Sequence, residues 1–241
     1  MNYKTLLLGT ITLILLGCKA DTKTSFVSDT YPDIAIVRAM KNVMWDGALE
    51  GAILLDTISN KRGLYGLGPK SYLTGELLIF DGHSYVSKVT SDSTMAVEET
   101  YNVSAPFFVH TNIQEWETIE LPASLKTISQ LELFIDSNTK AFKRPFTFKL
   151  QGTVNNATIH IQNLPEGSKV SSPKEAHQGQ VNYPLENETV DIVGFFSTEH
   201  QGIFTHHDSF MHMHLITKDR QKMGHLDAVE IDKMTLYLPK L

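Results

Sequence analysis

Alternating side chains in residues 210–217, FMHMHLIT, constrain the fold of this chain more than any other segment. In a β-strand, successive side chains point to opposite faces, so one face of this segment carries methionine and leucine. The other face carries His212 and His214 side by side. The segment therefore predicts a strand that packs one face into the core and presents two imidazoles on the other.

A third histidine, His225, opens the next predicted strand, GHLDAVEI. The polar segment TKDRQKMG between the two strands predicts a turn, so the strands are expected to pair antiparallel. If His214 lies opposite His225, their Cβ atoms are about 5 Å apart on one face. The imidazoles of His212, His214 and His225 would then converge from two adjacent strands. Such a set suits a zinc ion with three protein ligands and an open position for water or substrate. From spacing alone, a metal site and unrelated structural histidines both stay open.

The N-terminal residues predict export. Residues 1–17 contain one lysine and then an apolar run, typical of a secretory signal peptide and too short for a membrane span of about 20 residues. The ending Leu-Leu-Gly-Cys is typical of bacterial lipoproteins, so we expect cleavage before Cys18 and a lipid on its thiol. A plain signal peptide or an uncleaved anchor is the alternative. Residues 18–31 are polar, as expected of a tether, which predicts a bacterial cell-envelope protein anchored to the membrane by its N-terminal lipid.

Composition excludes several classes of function. Cys18 is the only cysteine, so we expect no disulfide, no thiol nucleophile and no cysteine-ligated zinc in the mature chain. The formal net charge is −6 and no basic run occurs. The chain therefore lacks the electrostatic footprint of a nucleic-acid-binding protein.

Strand signals dominate the rest of the chain. Asp81-Gly82 separates two short apolar runs and predicts a tight hairpin, because both turn residues accept positive φ. Periodicity predicts an amphipathic helix within residues 33–47 and a second helix within residues 121–135. These patterns predict an α+β fold, namely a two-part mixed or antiparallel β-sheet domain that is half-barrel-like and has flanking helices.

A segment rich in Pro, Gly, Ser and Gln, residues 165–184, divides the folded part of the chain. We therefore predict an N-terminal half over residues 32–164. The C-terminal half, residues 165–241, is predicted to carry the metal-binding strands.

Residues 66–82, GLGPKSYLTGELLIFDG, resemble a segment of the α-acetolactate decarboxylases. That family has Gly-Leu-Gly-Thr-Phe, then Asp-Gly-Glu-Leu, then a Phe-Asp-Gly turn, in the same order and at nearly the same spacing. The family's zinc ligands lie in a Tyr-His-Leu-His-Phe strand and a Gly-Gly-His-Val-Leu-Asp strand, with the spacing of His212, His214 and His225. The resemblance runs from about residue 33 to the C-terminus, and it implies a zinc enzyme that converts acetolactate to acetoin and CO2.

The resemblance also implies roles for two further residues. Glu76 corresponds to an acid near the zinc that is proposed to supply the proton replacing the departing carboxylate. Without the resemblance, Glu76 would be taken for a polar strand residue facing solvent. His160 stands where the family carries an active-site arginine, and histidine has no fixed guanidinium fork for an anion. We expect His160 to orient the substrate carboxylate or a water in place of that arginine.

Three other departures from the family concern the surroundings of the predicted site. Pro69 replaces the threonine that follows Gly-Leu-Gly. A short insertion that includes His206 and His207 precedes His212, at the rim of the site. Family members also have a segment beyond the last strand that returns a second glutamate to the site, whereas the sequence here ends with MTLYLPKL. These departures bear on decarboxylation more than on metal binding.

Three functions are compatible with these observations. The first is a zinc-dependent decarboxylase of 2-acetolactate or a related short 2-hydroxy-3-oxo acid, in which zinc stabilises the enediolate left when CO2 departs. The second is an exported non-catalytic lipoprotein that keeps the fold and metal pocket and binds a small acidic metabolite or a partner. The third is a metal-dependent hydrolase of a related acid. The missing arginine and the missing C-terminal segment favour the second function, whereas Glu76 and the three histidines favour the first. A homodimer is the candidate assembly.

Overall fold

The computed structural model describes Met1, residues 33–205 and residues 209–240. The predicted signal peptide, Cys18, the tether, His206 and His207 lie outside these residues, so the predictions made for them stay predictions. Within the described residues, no helix is long and apolar enough to cross a membrane.

The first part of the chain consists of short strands and one short helix. In chain order these elements are β1 Ala35–Val37, α1 Met40–Met44, β2 Ile53–Leu54, β3 Leu64–Pro69, β4 Glu76–Phe80, β5 His83–Ser91, β6 Thr94–Glu99, β7 Ser104–Ala105 and β8 Phe108–Asn112. Six of the strands form an antiparallel sheet in the order β1-β8-β3-β4-β5-β6, and β2 pairs with β7.

Longer strands form a second antiparallel sheet. In chain order its part of the chain contains β9 Trp116–Glu120, α2 Ile128–Asn138, β10 Phe146–Ile161, α3 Pro173–Ala176, β11 Val181–Phe196, β12 Met211–Thr217 and β13 Met223–Pro239. The strand order is β10-β11-β12-β13-β9, and β13 also pairs with β10. Because β10 and β12 each pair with both β11 and β13, these four strands close on one another like a small barrel. The fold is α+β and dominated by antiparallel sheet, as predicted.

The two faces of β12 lie in different cores. Its methionine and leucine side chains belong to the apolar core of the second sheet, as predicted. Ile216, on the opposite face, belongs to a cluster that includes Tyr65 and Leu78 of the first sheet. His212 and His214 share the face of Ile216. Both histidines therefore point to the junction between the two sheets.

The hairpin predicted at Asp81-Gly82 is confirmed. Phe80 pairs with His83, and the two residues between them, Asp81 and Gly82, have φ of 50° and 82°. Two-residue hairpin turns of type I′ require positive φ at both positions. The turn joins β5 to β4, the strand that begins at the predicted acid.

The helix predicted within residues 33–47 is partly wrong. Ala35–Val37 is strand β1 and pairs with β8, and only Met40–Met44 is helical. Arg38 has φ of 54° and separates the strand from the helix. The β-branched pair Ile-Val in this segment suits a strand at a sheet edge, and pairing with β8 outweighs the local helical periodicity.

Two other boundaries differ from the predicted ones. The second helix begins at Ile128, where Thr127 and Gln130 form a capping box, and continues to Asn138. The segment 165–184 is only partly loop, because it contains α3 and the start of β11. The division of the chain at residue 165 stays a prediction.

Packing at the sheet junction yields a stability prediction. Phe195 is fully buried in the cluster that contains Tyr65. Phe195→Ala should leave a cavity and lower the free energy of unfolding by about 3–5 kcal/mol, measured by chemical denaturation. Leu133→Ala, at an exposed position of α2, is the control and should change it little. Equal stability of the two variants would show that Phe195 does not hold the sheets together.

Candidate metal centre

Strand register brings the three predicted ligands together. His214 of β12 lies directly opposite His225 of β13, as predicted, and His212 precedes His214 by two residues on the same face. The ring centroids are 5.1 Å apart for His212 and His214 and 5.1 Å apart for His212 and His225. Those of His214 and His225 are 5.6 Å apart. All three residues are buried.

The spacing and chemistry of these rings fit a divalent metal. Three imidazoles that hold one zinc ion tetrahedrally at about 2 Å have ring centroids about 5 Å apart. His214 is fully buried, and neither of its ring nitrogens makes a hydrogen bond of ordinary geometry within the described residues. A buried polar group without a partner is unfavourable, and a bound metal would satisfy it. The donor set therefore fits a metal.

The protonation state of His214 is also the one that a metal requires. Burial lowers the pKa of His214 well below its ordinary value, and the nearby rings of His225 and His160 act in the same direction. The backbone of Leu77 and the carboxylate of Asp227 oppose this shift only in part. His214 is therefore neutral near pH 7, and neutral imidazole is the metal-binding form.

Glu76, at the start of β4, reaches this cluster from the first sheet. It is buried, and its Oε2 atom lies 3.7 Å from Nε2 of His214. Its Oε1 atom accepts a hydrogen bond of 3.2 Å from the backbone N–H of Gln162. Burial raises the pKa of Glu76 well above its ordinary value, the Gln162 hydrogen bond opposes this increase, and Asp227 adds to it. Glu76 is thus a buried acid and not a strand residue facing solvent.

His160, near the end of β10, extends the cluster across β13. It pairs with His225, and the two rings stack with centroids 4.5 Å apart. His160 is buried, and the ring of His177 lies 6.4 Å from it. The structure therefore places a fourth imidazole beside the three predicted ligands.

Asp227, which was not among the predicted site residues, also belongs to the cluster. Its carboxylate accepts hydrogen bonds from Nδ1 of His160, at 2.8 Å, and from Nδ1 of His225, at 3.1 Å. Partial burial opposes ionisation, but these hydrogen bonds outweigh burial and lower the pKa of Asp227. The sequence does contain a signal for Asp227. It follows His225 by two residues, and residues two apart in a strand point to the same face.

Two overlapping groups of side chains can hold a metal. One is the predicted set of His212, His214 and His225. In the other, the donor atoms of His160, His225 and Asp227 all lie within 4.8 Å of one another. We favour the first as the ligand set, because the Asp227 carboxylate already lies at hydrogen-bond distance from two Nδ1 atoms. Carboxylates that orient metal-bound imidazoles make this type of contact.

Gly224 allows β13 to approach β10 closely enough to form the cluster. A Cβ atom at this position would lie 2.5 Å from the backbone oxygen of His160. Real Cβ atoms do not come that close to a carbonyl oxygen, so any other residue would push the two strands apart. The glycine before His225 is therefore part of how the site is built.

A buried group of imidazoles and carboxylates at the junction of two antiparallel sheets defines a β-rich protein with a candidate metal centre. The sequence profile of the Alpha-acetolactate decarboxylase family matches residues 38–241. The chain belongs to this family.

Individual relatives agree with the family match. The alpha-acetolactate decarboxylase of Methanosarcina mazei is 26% identical over 208 residues, which cover 86% of this chain and 67% of the relative. That of Bacillus subtilis is 29% identical over 195 residues, covering 79% and 72%. The crystal structure of the enzyme from Bacillus subtilis strain 168 has a TM-score of 0.73 to this chain at 26% identity, covering 86% of this chain and 85% of that one. The fold of the family is therefore shared over most of the chain.

Removal of one imidazole tests the candidate ligands. His214→Ala should abolish stoichiometric metal, because three-coordinate binding through protein ligands would be lost. Metal analysis of the dialysed protein measures this, with His110→Ala, on strand β8 of the first sheet, as the control that should retain metal. Full metal content in the His214 variant would place the metal elsewhere.

Proposed function

We propose that this protein is a zinc-dependent carboxy-lyase that converts 2-acetolactate, or a related short 2-hydroxy-3-oxo acid, to acetoin or its analogue and CO2. The observation that carries the proposal is the buried acid Glu76 beside Nε2 of His214 in the histidine cluster. Family membership supports the reaction class, since the relatives are named alpha-acetolactate decarboxylases.

His212, His214 and His225 are the residues that would hold zinc. When bound, zinc supplies a positive charge that favours negative charge on the substrate oxygens as CO2 leaves. The three histidines are buried, and electrostatic interactions are stronger at a buried site than in water.

Glu76 is proposed to donate the proton that replaces the lost carboxylate. Burial raises its pKa, which favours the protonated form, and its Oε2 atom lies 3.7 Å from Nε2 of His214. The Gln162 N–H binds the other oxygen, Oε1, and so holds the carboxyl group in one orientation. A positioned acid with a pKa near or above the working pH suits proton delivery to a developing carbanion.

His160 is proposed to orient the substrate carboxylate or a water in place of the family arginine. Its ring stacks on that of His225 and so lies beside the candidate ligands. It cannot supply the bidentate contact of a guanidinium group. This difference favours one alternative, an exported non-catalytic lipoprotein that retains the metal pocket and binds a small acidic metabolite.

We further propose that the mature chain begins at Cys18 and is attached to the cell-envelope membrane through a lipid on that residue. The proposal rests on the Leu-Leu-Gly-Cys ending of the N-terminal apolar segment. It would place the enzyme outside the cytoplasm, with residues 18–31 as the tether. A homodimer is the proposed assembly.

Substitution of the acid tests the catalytic proposal. Glu76→Gln should leave zinc content unchanged and lower acetoin formation from acetolactate by about 10²–10⁴, because the amide cannot donate the proton as an acid does. The control is Glu99→Gln, which alters a carboxylate hydrogen-bonded to His83 on the surface of the first sheet. Turnover that does not depend on Glu76 would exclude the proton-transfer role. No turnover in the wild type would favour the non-catalytic alternative.

Substitution of the cysteine tests the anchor. Cys18→Ser should release the protein from the membrane fraction and prevent incorporation of labelled palmitate, because the thiol is the lipid attachment point. Thr24→Ser, in the tether, should change neither property. A mature N-terminus found at any residue other than Cys18 would contradict the proposal.

A further inference from the structure

We propose that Asp227 is a positioning residue that sets the tautomers of two imidazoles together, so that His160 and His225 both present an unprotonated Nε2 to the candidate metal centre. The inference rests on the metal centre of the proposed function, but it does not depend on the reaction that occurs there.

A β-bulge places Asp227 out of the regular strand ladder. In the pairing of β10 with β13, Thr158 lies opposite Ala228 and Ile159 lies opposite Leu226. Strand β13 therefore has one more residue than β10 at this point, and that residue is Asp227. Bulges redirect side chains beside functional sites. Here the bulge brings the carboxylate next to both histidine rings.

The hydrogen bonds show what the carboxylate does to the rings. His160 Nδ1 lies 2.8 Å from each of the two Asp227 oxygens, and His225 Nδ1 lies 3.1 Å from Oδ1. A carboxylate can only accept hydrogen bonds. Both Nδ1 atoms must therefore carry the proton. A neutral imidazole protonated at Nδ1 has its lone pair on Nε2.

The stacking of the rings directs both lone pairs to the same region. The rings of His160 and His225 are inclined by only 26°, with centroids 4.5 Å apart. Because both Nδ1 atoms face Asp227, both Nε2 atoms face away from it. The ring of His225 lies beside those of His212 and His214, whose centroids are 5.1 Å and 5.6 Å from its own.

This assignment changes the role available to His160. In this tautomer Nε2 of His160 carries the lone pair and accepts a hydrogen bond. We therefore assign Nε2 of His160 as an acceptor for a substrate hydroxyl or a water, which is one of the two roles proposed for this residue.

Long-range 15N-edited NMR of the metal-free protein at about pH 8, where ordinary imidazoles are neutral, reads the tautomers directly. In the wild type, His160 and His225 should both be protonated at Nδ1. In Asp227→Asn, whose side chain offers one acceptor and one donor group, at least one ring should change to the Nε2–H form. Zinc affinity, measured by competition with a chromophoric chelator, should fall by about 10–100-fold, as for other carboxylates that orient metal-bound imidazoles.

Asp232→Asn is the matched control. Asp232 lies on the same strand and also accepts a hydrogen bond across to β10, from Thr153 Oγ1 at 2.7 Å, and it makes no hydrogen bond to a histidine of the described residues. This variant should keep the wild-type tautomers and zinc affinity. The proposal is overturned if either wild-type ring is protonated at Nε2, a result that needs no variant. It is also overturned if Asp227→Asn and Asp232→Asn behave alike. Absence of acetoin formation with these tautomers intact would count against the lyase alone.

Discussion

Two polar groups that the sheets bury against each other, His214 and Glu76, are the feature on which the rest of the site depends. Burial lowers the pKa of the imidazole and raises that of the acid, so both shifts favour the neutral form of the group. Such groups destabilise an apolar core unless a ligand or a reaction uses them. Both side chains are buried, and burial is the largest cause of each shift. A metal site built in this way has a buried acid already beside it.

Strand β13 brings the potential metal ligands together, because at the site it pairs with β12 on one side and with β10 on the other. At His225 it lies opposite His214 of β12 and His160 of β10. Gly224 permits this close approach, and the bulge at Asp227 adds a carboxylate. Ligands on paired strands are held more rigidly than ligands on loops, which favours a preorganised site.

Local sequence patterns predicted some elements well and others poorly. The Asp81-Gly82 hairpin and the pairing of His214 with His225 were predictable, because turn chemistry and strand alternation act over a few residues. The periodicity of the segment Ala35–Val37 is helical and predicts the start of a helix, but the segment is a strand. Its conformation is decided by hydrogen bonds to β8, more than 70 residues later in the chain. The residues of the segment alone carry no information about its pairing with β8.

The sequence by itself determined the α+β class, the family and the strand that places His212 and His214 on one face. These depend on residue order and on the two-residue period of a strand. The tertiary structure alone decided that Glu76 is buried, that His160 stacks on His225, and that Asp227 hydrogen-bonds both rings. Each of these follows from contacts between strands far apart in the chain. Burial and proton placement are properties of that assembled environment, because the dielectric and the hydrogen-bond partners of a side chain come from its neighbours in space.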